Sequence, residues 1–230
     1  MPEIPGFFLT FEGPDGGGKS TQIQALADDL RSLGRAVWLT REPGGSAIGE
    51  EIRSLLHDLR HREMQPRAEI LLYSASRAQL VGQEIRPRLE RGEIVLCDRY
   101  ADSTLAYQGY GHGLDLDTLR RITAFATGGL TPHLTLLFDL DPEVGLRRRQ
   151  AGGVEWNRLD DYDLAFHQRV RAGYHALAQA EPQRWVMLDA TLERAALQAE
   201  VRRVVLQRLE ARGWNLDERQ SSLQPPASNV

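Results

Sequence analysis

Short apolar segments recur along the chain, separated by longer stretches in which hydrophobic residues return every three or four positions. The short segments are rich in β-branched, aromatic and leucine side chains, and each has the length of a buried strand. They are Phe7–Phe11, Ala36–Thr40, Ile94–Cys97, Leu134–Phe138 and Trp185–Leu188. The pattern therefore predicts five strands.

The intervening stretches predict helices. In the first of them Ile23, Leu26, Leu30 and Leu33 recur at helical spacing, and Gly34 follows as a helix stop. Helices are predicted over residues 19–33, 46–57, 66–91, 115–127, 142–150, 160–181 and 192–212. Strands that alternate with helices favour an α/β fold, in which a parallel sheet is covered by helices on both faces.

The alternating pattern covers residues 1–214, which we expect to form a single domain. A chain of 230 residues is long enough for one sizeable α/β domain with a lid. The pair Gly152-Gly153 interrupts a basic helical stretch, so it predicts either an ordinary loop or the hinge of a mobile lid over about residues 147–160. Residues 215–230 are polar and lack periodicity, and we expect them to form a disordered tail.

Composition narrows the class of partner. The formal net charge is −4, whereas proteins that bind DNA or RNA polymers usually carry a basic stripe, so no nucleic acid polymer is expected. The only cysteine, Cys97, lies in an apolar run and is expected to be buried, and no intramolecular disulfide can form. There is no apolar stretch of 18 residues and no signal-like start, so we expect a cytoplasmic protein without membrane contact.

A glycine-rich segment follows the first predicted strand and contains Lys19, the only lysine among 28 basic residues. The segment from Gly13 to Ser20 matches G-x-x-x-x-G-K-[ST], the phosphate-binding P-loop. In this setting the loop amides and the start of the next helix face the phosphates of ATP, Lys19 reaches the β- and γ-phosphates, and the Ser20 hydroxyl binds Mg²⁺. The predicted ATP-binding residues are Gly13, Pro14, Asp15, Gly16, Gly17, Gly18, Lys19, Ser20 and Thr21.

Polar residues that follow the other strands narrow the kind of P-loop protein. Asp98 ends the third strand, where P-loop enzymes hold Mg²⁺ directly or through water. The guanine-reading motif Asn-Lys-x-Asp, the Leu-Ser-Gly-Gly-Gln motif of transport ATPases and the protein-kinase motifs are all absent from the sequence. Arginines scattered around the strand ends favour phosphoryl transfer between two small anions.

Three further segments resemble the thymidylate kinase family. They are Asp98-Arg99-Tyr100 with Ser103 and Ala106-Tyr107-Gln108, then Arg41-Glu42-Pro43-Gly44-Gly45, and then Leu72-Tyr73-Ser74-Ala75-Ser76-Arg77. The resemblance runs from about residue 6 to about residue 205. It implies transfer of the γ-phosphoryl group of ATP to dTMP with Mg²⁺, which gives dTDP. It also implies a fold like that of nucleoside monophosphate kinases, with a five-stranded parallel sheet, flanking helices and a lid, in a homodimer.

The resemblance also implies roles in binding dTMP. Tyr73 would stack on the pyrimidine, although the family often has Phe at this position. Arg77 would donate to O4 of thymine and reject cytosine, since Arg only donates hydrogen bonds. Arg99 would clamp the phosphate, and Tyr107 would pack against the 2′ carbon of the sugar. Ser103 and Thr104 would line the base pocket, and Gln108 would contact the base or the sugar. Asp15 would contact the 3′-hydroxyl of dTMP. Glu42 would either hold a Mg²⁺-bound water or orient Arg99.

The lid is expected to supply the catalytic arginines. Some family members carry an Arg within the P-loop, which this chain lacks, and its pattern resembles the bacterial members that use lid arginines instead. Arg158 is the first candidate for contact with the transferring phosphoryl group, and Arg148 is the second. Arg147 and Arg149 fit a solvated helix end equally well. The predicted catalytic residues are Lys19, Arg99, Arg158, Arg148 and Asp15.

Two alternative functions stay open at this point. One is a different small-molecule P-loop kinase, acting on another nucleoside monophosphate or on deoxynucleosides. The other is a non-catalytic nucleotide-binding regulator, against which the presence of Lys19, Ser20 and Asp98 argues.

Overall fold

A computed structural model describes residues 5–152 and 157–214. The predicted tail at 215–230 and part of the predicted lid, residues 153–156, lie outside the described residues. Five parallel strands form one sheet in the order β2-β3-β1-β4-β5, which confirms the predicted sheet. The strands are β1 (Phe7–Glu12), β2 (Val37–Arg41), β3 (Ile94–Asp98), β4 (Leu134–Asp139) and β5 (Trp185–Asp189).

Helices occupy nearly all of the stretches that the periodicity predicts. They are α1 (Lys19–Ser32), α2 (Ala47–His57), α3 (Pro66–Leu80), α4 (Arg86–Glu90), α5 (Ala101–Thr104), α6 (Leu116–Thr127), α7 (Pro142–Ala151), α8 (Leu164–Ala180) and α9 (Arg194–Glu210). The helix predicted at 66–91 is α3 followed by a π-helical segment, Val81–Ile85, and by α4. The helical segment Ala101–Gly111, formed by α5 and a π-helical continuation, was not predicted.

The central strand explains why the sheet is covered on both faces. Every residue of β1 is buried. Phe7, Leu9 and Phe11 pack with side chains of α1 and α9 on one face, whereas Phe8 packs on the other face against Tyr100. Cys97 is buried in the same cluster as Phe8 and Tyr100, as predicted. Burial raises the pKa of its thiol well above the usual value.

Parallel pairing brings the carboxyl ends of the strands to one edge of the sheet. Arg41 and Phe11 both lie beside Asp98 in the register, and Asp139 lies beside Asp189. Ligands of open α/β sheets bind at this edge. Within the described part of the chain, no helix is both long enough and apolar enough to cross a bilayer.

Candidate active site

The P-loop connects β1 to α1 and wraps close to neighbouring backbone. At Gly13, where φ is 125°, a Cβ atom would lie 2.4 Å from the carbonyl oxygen of Phe138. At Gly16, where φ is 78°, it would lie 2.3 Å from the carbonyl oxygen of Gly145 in α7. Only glycine fits these two positions, because both the backbone conformation and the contact exclude a side chain. The loop thus holds its amides at the start of α1, as a phosphate site requires.

Lys19 is buried within the loop, where its ammonium group lies among backbone oxygens. Its Nζ donates hydrogen bonds to the carbonyl oxygens of Gly13 (3.0 Å) and Pro14 (2.8 Å). Burial, assisted by the charge of Arg99, lowers the pKa of Lys19 to about 8, although neighbouring carboxylates oppose the shift. A phosphate anion in the loop would favour the charged ammonium form and so reverse this shift.

A pair of oxygen ligands lies beside the loop. The Ser20 hydroxyl donates to Oδ2 of Asp98 at 2.9 Å, and both residues line the cleft. Hydroxyl and carboxylate oxygens suit Mg²⁺, which usually keeps several waters and substrate phosphates as its other ligands. Among the described residues no group of three or more His, Cys, Asp or Glu side chains is arranged to hold a metal. The pair therefore fits a Mg²⁺ site that the nucleotide phosphates complete.

Arg99 is a cation that several contacts hold beside the loop. Its φ of 70° is unusual for a residue other than glycine, and its amide donates to the carbonyl oxygen of Phe11 at 2.9 Å. The guanidinium donates to Asp15 (2.9 Å) and to the Tyr174 hydroxyl (3.1 Å), and it lies over the ring of Tyr107 at 5.1 Å. Burial acts in the opposite direction, but the charges of Arg99 and Lys19 hold the pKa of Asp15 well below its usual range.

Glu12, at the end of β1, is a buried acid that the sequence analysis did not single out. Its Oε1 accepts from the backbone amide of Tyr100 (2.7 Å), and its Oε2 accepts from the hydroxyls of Ser103 (2.6 Å) and Tyr174 (2.9 Å). Burial, together with the charge of Asp102, raises the pKa of Glu12 to about 7. Through these partners Glu12 fixes the segment that follows Arg99. An acidic residue that ends an apolar strand is the signal that could have identified it.

Glu42 and Arg77 form a buried ion pair. Nε of Arg77 donates to Oε2 of Glu42 at 2.7 Å, while Nη1 donates to Thr104 (3.0 Å) and Nη2 to the carbonyl oxygen of Tyr100 (3.1 Å). Glu42 was expected either to hold Mg²⁺-bound water or to orient Arg99. The structure pairs Oε2 of Glu42 with Arg77, which is only 1% exposed and needs a buried counterion, and the predicted roles of Glu42 remain predictions.

The predicted acceptor-binding residues lie together on one wall of the cleft. Tyr73 and Arg77 come from α3, and residues Ser103 to Gln108 come from the helical segment Ala101–Gly111. The side-chain amide of Gln108 donates from Nε2 to Oε1 of Glu69 at 2.6 Å. All six predicted residues of this wall line the same cleft as the P-loop; they are Tyr73, Arg77, Ser103, Thr104, Tyr107 and Gln108.

The arginines around the predicted lid occupy different environments. Arg148 lines the cleft and donates to the carbonyl oxygen of Ala190 at 2.9 Å, and Arg149 also lines the cleft, where it pairs with Asp160. Arg147 is exposed and pairs with Glu143.

Arg158, the first candidate for contact with the phosphoryl group, does not lie on the cleft wall in this structure. It is 3% exposed and donates to the carbonyl oxygen of Leu56 (3.0 Å) and to the Tyr162 hydroxyl (2.9 Å). It also pairs with Glu69. The buried carboxylate needs a cation and holds Arg158, so contact with a phosphoryl group would require Arg158 to leave Glu69. Arg149, for which a solvated helix end was an equal alternative, does line the cleft.

Several cleft residues were missed by the sequence analysis because no motif marks them. They include Arg53 and His57 on α2 and Asn157 within the predicted lid. Arg53 donates to the carbonyl oxygen of Pro43 at 2.9 Å. Burial and the charge of Arg53 lower the pKa of His57 to about 4, so this imidazole is neutral at physiological pH.

Comparisons with known proteins agree with this arrangement. The thymidylate kinase family matches residues 11–201. A thymidylate kinase of Deinococcus radiodurans is 56% identical over 203 residues, which cover 88% of this chain and 98% of the relative. One from a Roseiflexus species is 53% identical over 209 residues, covering 86% of this chain and 92% of the relative.

A solved structure gives the same result at the level of the fold. The crystal structure of thymidylate kinase from Ehrlichia chaffeensis superposes with a TM-score of 0.71 at 32% identity, covering 87% of this chain and 98% of that one. The residues matched by the family include the P-loop and every residue that lines the cleft. This chain therefore belongs to the thymidylate kinase family.

Proposed function

We propose that this chain transfers the γ-phosphoryl group of MgATP to dTMP through the residues of the cleft described above. One observation carries the assignment of roles. The phosphate-binding Lys19, the cation Arg99 and the Ser20–Asp98 pair share a single cleft with a wall suited to a pyrimidine, formed around Tyr73. A donor site and an acceptor site that open into one cleft are what direct transfer between two nucleotides needs.

On the donor side, the amides of residues 13–21 bind the ATP phosphates and Lys19 neutralises the β- and γ-phosphates. Ser20 and Asp98 would hold Mg²⁺, which when bound offsets phosphate charge and orients the phosphates. Arg148 and Arg149 line the cleft from α7, and we assign to them the contact with the transferring group. Arginines placed there stabilise charge on the equatorial oxygens during transfer.

On the acceptor side, Arg99 binds the phosphate of dTMP. An oxygen of this phosphate attacks the γ-phosphorus, and the bond from that phosphorus to the β-bridging oxygen breaks, giving dTDP and ADP. The attacking group is already ionised, so no general base is required. Asp15 holds Arg99 in place, and we assign to it the contact with the sugar 3′-hydroxyl.

The base lies against Tyr73, whose ring supplies a stacking surface. Arg77 uses its other hydrogens on Glu42, Tyr100 and Thr104, which leaves one Nη1 hydrogen for O4 of the pyrimidine. Tyr107 restricts the space beside the sugar, and Ser103 and Thr104 complete the pocket.

The test is ADP release with MgATP and a panel of acceptors: dTMP, dUMP, dCMP, AMP and GMP. Strong turnover with dTMP, weaker turnover with dUMP and only trace turnover with the others is expected, with loss of activity in Lys19→Ala. Faster turnover with another acceptor would still support a P-loop kinase but would contradict the assignment of a thymine pocket. Absence of acceptor-dependent turnover would favour the non-catalytic alternative.

We further propose that the protein acts in the cytoplasm as a homodimer. Large apolar side chains are exposed on two helices that pack together, with Leu71 of α3 at 60% and Phe125 of α6 at 90% exposure. Sedimentation of the purified chain and of a Phe125→Glu variant tests this proposal. A monomer at micromolar concentration in the unsubstituted chain would refute it.

A further inference from the structure

A buried carboxylate lies directly behind the pyrimidine wall. Glu69 is on α3, one turn before Tyr73, and its side chain is fully buried. Its Oε1 accepts from Nε2 of Gln108 at 2.6 Å and lies 3.4 Å from Nε2 of His112. Its Oε2 is paired with Arg158. Glu69 itself does not line the cleft, so it can influence a ligand only through these neighbours.

We propose that Glu69 is a positioning residue that fixes the side-chain amide of Gln108 and thereby sets which pyrimidine the pocket accepts. The inference rests on the proposed function, since it concerns the base of the acceptor nucleotide.

The orientation of the Gln108 amide follows from the chemistry of its partner. An ionised carboxylate only accepts hydrogen bonds, so the end of the amide that faces Glu69 must be Nε2. The other end, Oε1, is then fixed as an acceptor, and no described residue donates a hydrogen bond to it. Gln108 is 2% exposed but lines the cleft, which is where this oxygen can meet a ligand.

Arg158 keeps Glu69 in the acceptor form. Burial disfavours the charged carboxylate, but the nearby His112 side chain, the charge of Arg158 and the hydrogen bond from Gln108 outweigh burial and lower the pKa of Glu69. Reversal of the Gln108 amide would place its oxygen against this carboxylate and lose a charge-assisted hydrogen bond. The amide is therefore held in one orientation.

A fixed carbonyl oxygen distinguishes pyrimidines by their N3 position. Thymine and uracil carry N3–H as a donor beside O4 as an acceptor, whereas cytosine carries N3 as an acceptor beside an amino donor. Gln108 Oε1 and the Arg77 guanidinium together match the first pattern and oppose the second at both atoms. A Gln108 amide that was free to reverse would offer Nε2 to N3 of cytosine and weaken the discrimination.

The experiment compares kcat/KM for dTMP and dCMP in the full-length protein and in Glu69→Gln. Gln at position 69 keeps the shape but can donate as well as accept, so it no longer fixes Gln108. We expect the dTMP to dCMP ratio to fall at least tenfold, mainly through KM. In a Gln108→Ala background the same Glu69→Gln change should leave the ratio unaltered, because its route to the base is gone.

Arg158→Lys is the matched control, since it changes the other partner of Glu69 but keeps the cation. It should preserve the ratio of kcat/KM for the two acceptors even where it lowers turnover. If Glu69→Gln does not fold, Glu69→Asp carries the test, because it retains the charge for Arg158 but draws the carboxylate away from Gln108. A fall of at least threefold in the ratio is expected for Glu69→Asp.

The outcomes separate this inference from the proposed function. Two results overturn the inference when the unsubstituted enzyme still prefers dTMP. One is an unchanged ratio of kcat/KM for dTMP to dCMP in a folded Glu69 variant. The other is a fall in this ratio that is as large in the Gln108→Ala background as in the Glu69→Gln variant alone. If the unsubstituted protein itself shows no preference for dTMP over dCMP, both proposals fall.

Discussion

Replacement of Arg77 by Met tests the energetics of the acceptor wall. Arg77 and Glu42 are 1% and 4% exposed, and the guanidinium also binds Thr104 and the carbonyl oxygen of Tyr100. Met is nearly as long as Arg but carries no charge, so Arg77→Met leaves the buried carboxylate of Glu42 without its counterion. Breaking one side of such a pair costs about 3–5 kcal/mol.

The pKa of Glu42 determines how the stability loss in Arg77→Met depends on pH. Burial raises the pKa of Glu42 even in the presence of Arg77, whose charge opposes the shift. Without Arg77 the pKa rises further, so the folded state holds a proton that the unfolded state has already released above about pH 4.5. Stability is then retained at low pH and lost as pH rises towards the folded-state pKa. The destabilisation should be larger at pH 8 than at pH 5.

The assay is urea unfolding, followed by tryptophan fluorescence at pH 5 and pH 8. The control is the double variant Glu42→Gln with Arg77→Met, which removes the charge and should recover about 1–3 kcal/mol at pH 8. Three results would refute the reasoning: a loss below about 1 kcal/mol in Arg77→Met, no recovery in the double variant, or equal losses at the two pH values.

Three further predictions concern the donor site. Lys19→Arg should lower kcat about 100-fold or more, because the guanidinium cannot occupy the narrow position between the Gly13 and Pro14 carbonyls. A variant that keeps half of the original rate of ADP release would contradict this expectation. In the unsubstituted enzyme, kcat/KM for ATP should fall as pH rises above about 8, which is the pKa of Lys19 in the free protein. At saturating ATP, kcat should persist to higher pH, because bound phosphates favour the ammonium form of Lys19. Parallel pH profiles of kcat/KM and kcat would refute this prediction. Gly145→Ala should raise KM for ATP at least tenfold, because its Cβ would lie 2.4 Å from the backbone oxygen of Asp15, whereas Gly82→Ala enters open space and should leave KM unchanged.

The order of elements was predictable because strand and helix signals are local. Apolar runs such as Leu134–Phe138 are buried on both faces, and the amphipathic spacing around Leu26 and Leu30 marks α1. The P-loop was predictable for the same reason, since its glycines, Lys19 and Ser20 are contiguous.

The helical segment Ala101–Gly111 escaped prediction because tertiary contacts override its local propensity. Gly109 and Gly111 are poor helix formers, and yet a Cβ at these positions would lie 2.4 Å from Leu116 and 2.7 Å from Phe166, so the packing of the helix favours glycine. The segment also carries the polar residues of the acceptor wall, which disturb its apolar periodicity.

The buried charges were not predictable because their partners are distant in sequence. Glu69 and Arg158 are 89 residues apart, and Glu12 and Tyr174 are 162 apart. A sequence places Arg158 near the lid but does not show which carboxylate holds it. The interpretation of Arg158 as the leading phosphoryl contact failed to anticipate Glu69 for this reason.

The contact between Gly16 and Gly145 has a consequence for how the family can diverge. The two residues are 129 positions apart, but a Cβ on Gly16 would meet the carbonyl oxygen of Gly145, and a Cβ on Gly145 would meet the carbonyl oxygen of Asp15, the residue before Gly16. A substitution at either site displaces the partner segment, so neither glycine can drift alone. Related sequences should therefore retain both or exchange them together with a shift of α7 against the P-loop. A homologue with a larger residue at one site and glycine at the other would mark a branch in which the P-loop and α7 have moved apart.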